Sequence, residues 1–419
     1  MTFSEFQNRP KRFSPLELRF IALVAAALLA LLGVNLFLAS ILPAGGEFSL
    51  LREAGRAFLF ERVEPYGPEI PARVQEEVYG RPARSGEQPY ILDVPFHLLI
   101  PYFPFALSNE IVARGIFLFL LEAALVSMAY FGFKLSLWEP PRLFLLLFFA
   151  VSLLNYYSVN AFLNGSPVIF LGLAYAGTLM ALRHRQDELA GALLSLACFQ
   201  WEIGAPFLLL IIFYAFRTRR WQVLAGFGML TVVLLAISYL WYPGWTIPFL
   251  RAAFNNMRAA FGFSTHDFIH QLIPAYANRI SWAAAGLFAV ILGYEWSKIN
   301  ERDFRRFFWT SCLTLSITPL LGFRLQPEQL VVLVLPLGLI LEVMSDRWSR
   351  FGESLMFIFM LVFFAVPWIL FIAGSHRLDV IGNILFISLP ALMVVCLYWI
   401  RWWAIRPPRT WVDQIPDKK

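Results

Sequence analysis

A carboxylate behind a pair of glycines opens the longest polar stretch of the chain. The sequence Gly45-Gly46-Glu47-Phe48 follows an apolar run and leads into a polar segment spanning 43–110, so Glu47 stands where an acid can meet both water and lipid. Few such places exist in a chain this apolar, because a charge at bilayer depth costs at least about 2.5 kcal/mol unless it is partnered. Glu47 is therefore the first candidate for a general base; its plainer reading is a helix N-terminal charge. Asp93, in Ile91-Leu92-Asp93-Val94-Pro95, reads as a turn or cap residue or as a second acid. Gln200-Trp201-Glu202 lies between two weak apolar runs, and a Glu beside Trp at membrane depth calls for a water-filled cavity rather than lipid. Asn255-Asn256 and the group Gln326, Glu328 and Gln329 could hydrogen-bond a polar ligand, and loop polarity explains them equally well. His266 and His270 are spaced i, i+4 around Asp267, half of a metal site, but no further cluster completes it. Neither a metal nor a cofactor is expected.

The elements that must position these residues are helices in a membrane. With 59% hydrophobic residues, mean hydropathy +0.64 and only 15% charged residues, the 419-residue chain is incompatible with an ordinary soluble globule. Hydropathy predicts an all-α polytopic membrane protein of about twelve spans, at 20–42, 111–133, 142–161, 166–183, 188–200, 203–217, 221–243, 281–297, 306–322, 328–345, 354–374 and 379–400. The first run is too long for a signal-peptide core and lacks a small-residue cleavage site, so it is read as an anchor. Cys198, Cys312 and Cys396 fall inside apolar runs and read as core residues. The net charge of +6 sits in short connections such as RTRR and SDRWSR, where it reports topology and not a nucleic-acid partner. Those basic stretches fall on alternate connections, which puts both termini in the cytoplasm and the loops 43–110 and 244–280 outside. Residues 1–405 then form one transmembrane domain, with a cytoplasmic tail at 406–419.

Two runs, 188–200 and 203–217, are both flanked by basic connections, so they form either a short up-and-down pair or one re-entrant element with Gln200, Trp201 and Glu202 at its apex. Within the first loop, Phe48, Leu51, Gly55, Phe58 and Leu59 share a face at helical spacing, which predicts an amphipathic interfacial helix with Glu47 at its start. A second interfacial helix is expected after Tyr90, in the stretch ending IPYFPFAL, and the passage with Pro65, Tyr66, Pro68, Pro71 and Pro82 between them is expected to be an irregular lid. Arg114 and Glu122, eight apart on the second span, read as a structural pairing with a neighbouring helix.

The order of these features resembles the polyprenol-phosphate-mannose-dependent mannosyltransferases of glycosyltransferase family 87, in the GT-C class. The resemblance runs over roughly the first half of the chain: Glu47-Phe48, then Arg52-Glu53-Ala54-Gly55-Arg56-Ala57, Glu64-Pro65-Tyr66, Asp93-Val94-Pro95 with Ile100-Pro101, Asn164-Gly165-Ser166-Pro167, Ala190-Gly191, and Gln200-Trp201-Glu202 with Pro206. The chain departs from the family pattern where Glu47 replaces an Asp, Ser166 a Gln, and Gln200 or Glu202 a Lys, as in a divergent member. The resemblance implies a GT-C-type fold in a bacterial plasma membrane, with the active site on the extracytoplasmic side. It also implies inverting transfer of a sugar, mannose in the family, from a polyprenyl-phosphate donor to a hydroxyl of a lipid or glycan acceptor.

Such a transfer needs a carboxylate to deprotonate the acceptor and cations to neutralise the departing phosphate. Glu47 would be the base. The cations on the outer side are Arg258, His266, His270, Arg279 and Arg324, with Arg52 and Arg56 in the first loop. Arg324 leads, because GFRLQPEQ lies between two weak spans and can fold into a cavity; His266 is second. Tyr66, Asp93, Asn164, Gln200 and Glu202 are the candidate substrate contacts. Two other classes compete: a secondary transporter using Glu122, Glu202 and Glu295 as ion sites, against which stand the absence of two-fold halves and the long first loop, and a lipid-linked polysaccharide polymerase or ligase, which usually carries its large loop late.

Overall fold

The computed structural model describes residues 15–43, 45–84, 86–197, 200–259, 261–301, 303–348, 351–373 and 378–406. Cys198 and the tail from 407 onward lie outside them. The fold is all-helical, and the described residues contain no strand beyond a single antiparallel bridge between Phe263 and Leu325. Among them, eight helices are long and apolar enough to cross a membrane: Ile21–Ile41, Glu110–Ser136, Trp201–Thr218, Trp221–Trp241, Pro274–Ser297, Pro327–Arg347, Gly352–Ala373 and Ile381–Ala404. This is a polytopic membrane architecture.

The remaining four expected spans are helices too, each short or bent. Arg142–Leu154 and Tyr156–Asn164 meet at 47°, and would add a ninth crossing if taken as one. Asn155 makes the bend: its amide nitrogen donates to the Val151 and Ser152 carbonyls that end the first piece, while its oxygen accepts from the Ser158 N–H that starts the second. Val168–Arg183, Asp187–Leu196 and Phe304–Ile317 have 16, 10 and 14 residues, against the ~20 needed to span about 30 Å of hydrocarbon. Their apolarity serves protein contact. Every residue from Phe307 to Ile317 is buried, so that helix is core on all faces. Pro327–Arg347 is likewise 89% buried, whereas Ile21–Ile41 is only 6% buried and turns its Leu and Val side chains outward.

Close approaches fix the short helices. A Cβ on Gly191 would lie 2.0 Å from the Val223 carbonyl oxygen, and one on Gly226 2.1 Å from that of Glu188, so Asp187–Leu196 and Trp221–Trp241 touch backbone to backbone. At the end of this contact Arg220 forms a buried bidentate pair with Asp187. The first two long helices are locked by the polar groups that the sequence singled out. Asn35 donates to Glu122 at 2.8 Å, and Arg114 caps the end of the first helix through the Leu42 and Pro43 carbonyls. That lock delivers the chain to Gly45 at a defined height.

The 43–110 segment is folded, and it departs from expectation in one respect. The expected helix at Gly46–Arg56 is there, burying Phe48, Leu51 and Gly55, and it runs on into a π-helical turn, Ala57–Glu61, closed by Arg62 in the left-handed region. The passage expected to be irregular contains a further helix, Glu69–Tyr79. Pro71 is tolerated in its first turn because those N–H groups lack intrahelical partners, Ile70 and Val74 bury one face, and Gly80 at φ +64 ends it. Arg73 ties this helix to Glu53 and Glu61 of the first. The apolar stretch Phe96–Ala106 then forms broken helical turns against the same core. In the 244–280 segment, helices Thr246–Ala259 and Thr265–Leu272 follow one another, and Ser264 caps the second through the Asp267 N–H.

Candidate active site

A polar cavity of about 330 Å³ opens where these loops converge. Its wall takes Glu47 from the loop helix, Gln88, Tyr90 and Asp93 from the segment after Gly80, Gln200, Trp201 and Glu202 from the helix-pair apex, Asn256 from Thr246–Ala259, and Arg324, Gln326 and Gln329 from the turn before Pro327–Arg347. Carboxylates, amides and aromatic rings therefore face one space, with Arg324 as the cation. That set suits hydroxyl-rich ligands, since amides and carboxylates take both senses of hydrogen bond and rings cover the apolar face of a sugar.

Glu47 is placed by glycines. A Cβ at Gly46 would sit 2.2 Å from the Tyr90 ring, and one at Gly45 2.7 Å from the Leu163 carbonyl, so only glycine lets the turn pass between these neighbours. Tyr90 itself stands at φ +48, a strained conformation for an aromatic residue and one that collects at functional sites. The Gln326 amide, with its nitrogen toward the acids, donates to Glu328 Oε1 at 2.5 Å and to Glu47 Oε1 at 3.2 Å, while its oxygen accepts from Gln88 at 3.1 Å. Glu47 Oε2 is turned away from water, with the Ser166 hydroxyl and the Gln88 amide beside the carboxyl group. Burial first, then the charges of Glu328 and Asp93, hold the Glu47 carboxyl well above the usual carboxylate range. A base raised toward operating pH binds a proton more strongly than an ordinary carboxylate while still reaching its ionised form.

Glu328 lies behind it, 2% exposed, and accepts from Asn160 at 2.9 Å and Asn164 at 3.2 Å. Gln329 bridges the apex and the turn, donating to Gln200 at 3.0 Å while its oxygen takes the Gln326 backbone N–H. Asp93 accepts from Asn256 at 2.7 Å, and burial raises its carboxyl above the ordinary value. On the far side, the Phe263–Leu325 bridge holds Arg324 in place, and Gly262 at φ +107 admits the Leu325 carbonyl 2.8 Å from where a Cβ would stand. The Arg324 guanidinium reaches Asp267 at 2.9 Å.

The structure thus gathers Glu47, Asp93, Gln200, Glu202 and Arg324 around one cavity and leaves five candidates off its wall. Asn164 is drawn behind the wall to Glu328, and Tyr66 donates to the Val94 carbonyl at 2.9 Å beside Asp93. Both are placed to support neighbours. Arg258 and Arg279 are exposed elsewhere. His266 contacts Asn278 at 2.9 Å, with His270 stacked beside it. Of the loop cations, Arg52 is engaged by the Phe105 and Ser108 carbonyls and Arg56 is exposed. The described residues hold no group of three or more His, Cys, Asp or Glu arranged for a metal. Gln88 and Asn160 were not singled out in the sequence, and Glu328 was noted only for polarity; a carboxylate at the head of an apolar run was the available signal.

A second cavity, about 550 Å³ and almost wholly apolar, lies between the Phe96–Ala106 stretch, Glu110–Ser136, Val168–Arg183 and Asp187–Leu196. Pro167 lines both cavities. No protein-family profile matches this chain, and no characterised protein sequence matches it.

Proposed function

We propose that the protein is a membrane glycosyltransferase that moves a sugar from a polyprenyl-phosphate carrier to an acceptor hydroxyl at the extracytoplasmic surface. The observation that supports this reading is that two cavities share Pro167 in their walls: one carries carboxylates, amides and a guanidinium and the other is almost wholly apolar, the pairing that an amphiphilic donor with a greasy chain requires. Glu47 takes the proton of the acceptor hydroxyl as its oxygen bonds the anomeric carbon, and the bond from that carbon to the phosphate oxygen breaks. Arg324, on the wall of the same cavity, offsets the charge left on the phosphate. Gln88, Gln200, Gln329 and Asn256 hold sugar hydroxyls, and Trp201, packed edge-on against Phe323 at 5.8 Å, covers an apolar ring face.

The transporter reading loses support because Glu122 and Glu295 are engaged in helix-to-helix contacts with Asn35 and Arg401. The test is release of polyprenyl phosphate from polyprenyl-phosphate sugars by purified full-length protein in lipid. Glu47→Gln is expected to lower turnover by about 10²–10⁴-fold. Equal turnover in the two proteins removes Glu47 as base, and no turnover with any donor removes the transferase reading.

A further inference from the structure

Glu328 has no part in the reaction as written, yet it is the most enclosed carboxylate near Glu47. The two acids come from distant parts of the chain, one at the start of the loop helix and one in the turn that begins Pro327–Arg347. One side-chain amide, that of Gln326, donates to an oxygen of each, at 2.5 Å to Glu328 and 3.2 Å to Glu47, so the two carboxyl groups are close neighbours. Two carboxylates this close cannot both be ionised without a cation between them. Among the described residues no ion pair reaches either. The titratable groups facing the pair are Asp93, Tyr90, Tyr102 and Tyr156, with Glu202 and Arg324 on the cavity wall, and Arg324 is bonded to Asp267.

From this geometry we infer that Glu47 and Glu328 form a carboxyl–carboxylate pair holding one proton, with Glu328 as the positioning residue that governs when Glu47 can accept a proton from the acceptor. The donors decide where the proton rests. Glu328 receives N–H groups from Asn160, Asn164 and Gln326, which favours its ionised form over that of Glu47, whose donors are a 3.2 Å contact from Gln326 and the side chains of Ser166 and Gln88. The proton therefore stands on Glu47 and points at Glu328. In the productive state the proton has moved to Glu328; Glu47 then takes the acceptor proton as the new carbon–oxygen bond forms, and the pair gives up one proton to solvent to regain its singly protonated state.

This inference rests on the proposed reading for its purpose, though not for its test. Infrared spectra of the full chain in lipid, recorded across pH for the wild type, Glu47→Gln and Glu328→Gln, read the protonated-carboxyl stretch directly. A protonated band persisting at neutral pH is expected in the wild type and absent in Glu47→Gln. In Glu328→Gln the Glu47 band should titrate at a pH lower by about one unit or more, the coupling that defines an interacting pair. Asn164→Ala keeps both acids and loosens one donor, so it should move the midpoint the same way by less, and it covers the case in which Glu328→Gln does not fold. If the Glu47 midpoint stays in place in both variants, the pairing is wrong. The acid limb of the turnover profile should shift with the band; absence of turnover in the wild type would remove the transferase reading and leave the spectroscopic result standing.

Discussion

Buried and half-buried carboxylates of the described residues stand in contrasting settings, and their surroundings differ in kind. Glu295, 2% exposed, meets the Arg401 guanidinium at 2.9 Å, and Glu122 takes the Asn35 amide at 2.8 Å; each links one long helix to another. Glu47 and Glu328 instead meet each other, with amides around them and a cavity alongside. A guanidinium fixes a carboxylate as an ion, and a single amide between helices holds it in place. Two acids sharing amide donors leave a proton to be exchanged, which is what general-base chemistry needs. The first setting builds the bundle and the second is available to a substrate.

The contrast is open to experiment. Glu295→Ala strands Arg401 and should cost about 3–5 kcal/mol, read as a fall in thermal unfolding midpoint in detergent, with turnover per folded molecule unchanged. A large loss of turnover per folded molecule would blur the distinction. Arg324→Gln should lower turnover by about 10²–10³-fold with little change in thermal midpoint, because its guanidinium is exposed and its Asp267 partner lies at the surface. The pH dependence of stability should also separate the two settings. Since the folded chain retains a proton on Glu47 that the unfolded chain releases, stability falls as pH rises from the ordinary carboxylate range toward alkaline values, by at most about 1.4 kcal/mol per pH unit. Glu47→Gln removes that slope, and equal slopes in melting curves of the two proteins would show Glu47 to be ionised throughout. Asn35→Leu, at the other extreme, should cost only about 0.6 kcal/mol, the usual worth of a hydrogen bond between membrane helices.

Eight of the twelve predicted spans were legible because hydropathy reports transfer out of water, which a lipid-facing helix and a long buried one satisfy alike. It cannot say whether lipid or protein receives the side chains, so Phe304–Ile317, core on every face, read as a crossing it is too short to make. Glu47 was legible because it stands between an apolar run and a polar loop. Glu328 was hidden at the head of a run whose apolar count absorbs it, and its two asparagine partners lie more than 160 positions away. Arg324 could be picked from its turn, but Arg258, Arg279 and His266 show that a list of cations does not reveal which surface each side chain faces. The Glu69–Tyr79 helix was obscured by its prolines, although Ile70, Val74 and Gly80 carried the spacing and the stop.

The small bridge between Phe263 and Leu325 reaches further than its two hydrogen bonds. Phe263 also seats its ring where a Cβ on Gly382 would stand, 2.5 Å away, and stacks near Phe386 of the final helix. The strap that carries Arg324 to the cavity wall is thereby anchored on a membrane helix at the far end of the sequence.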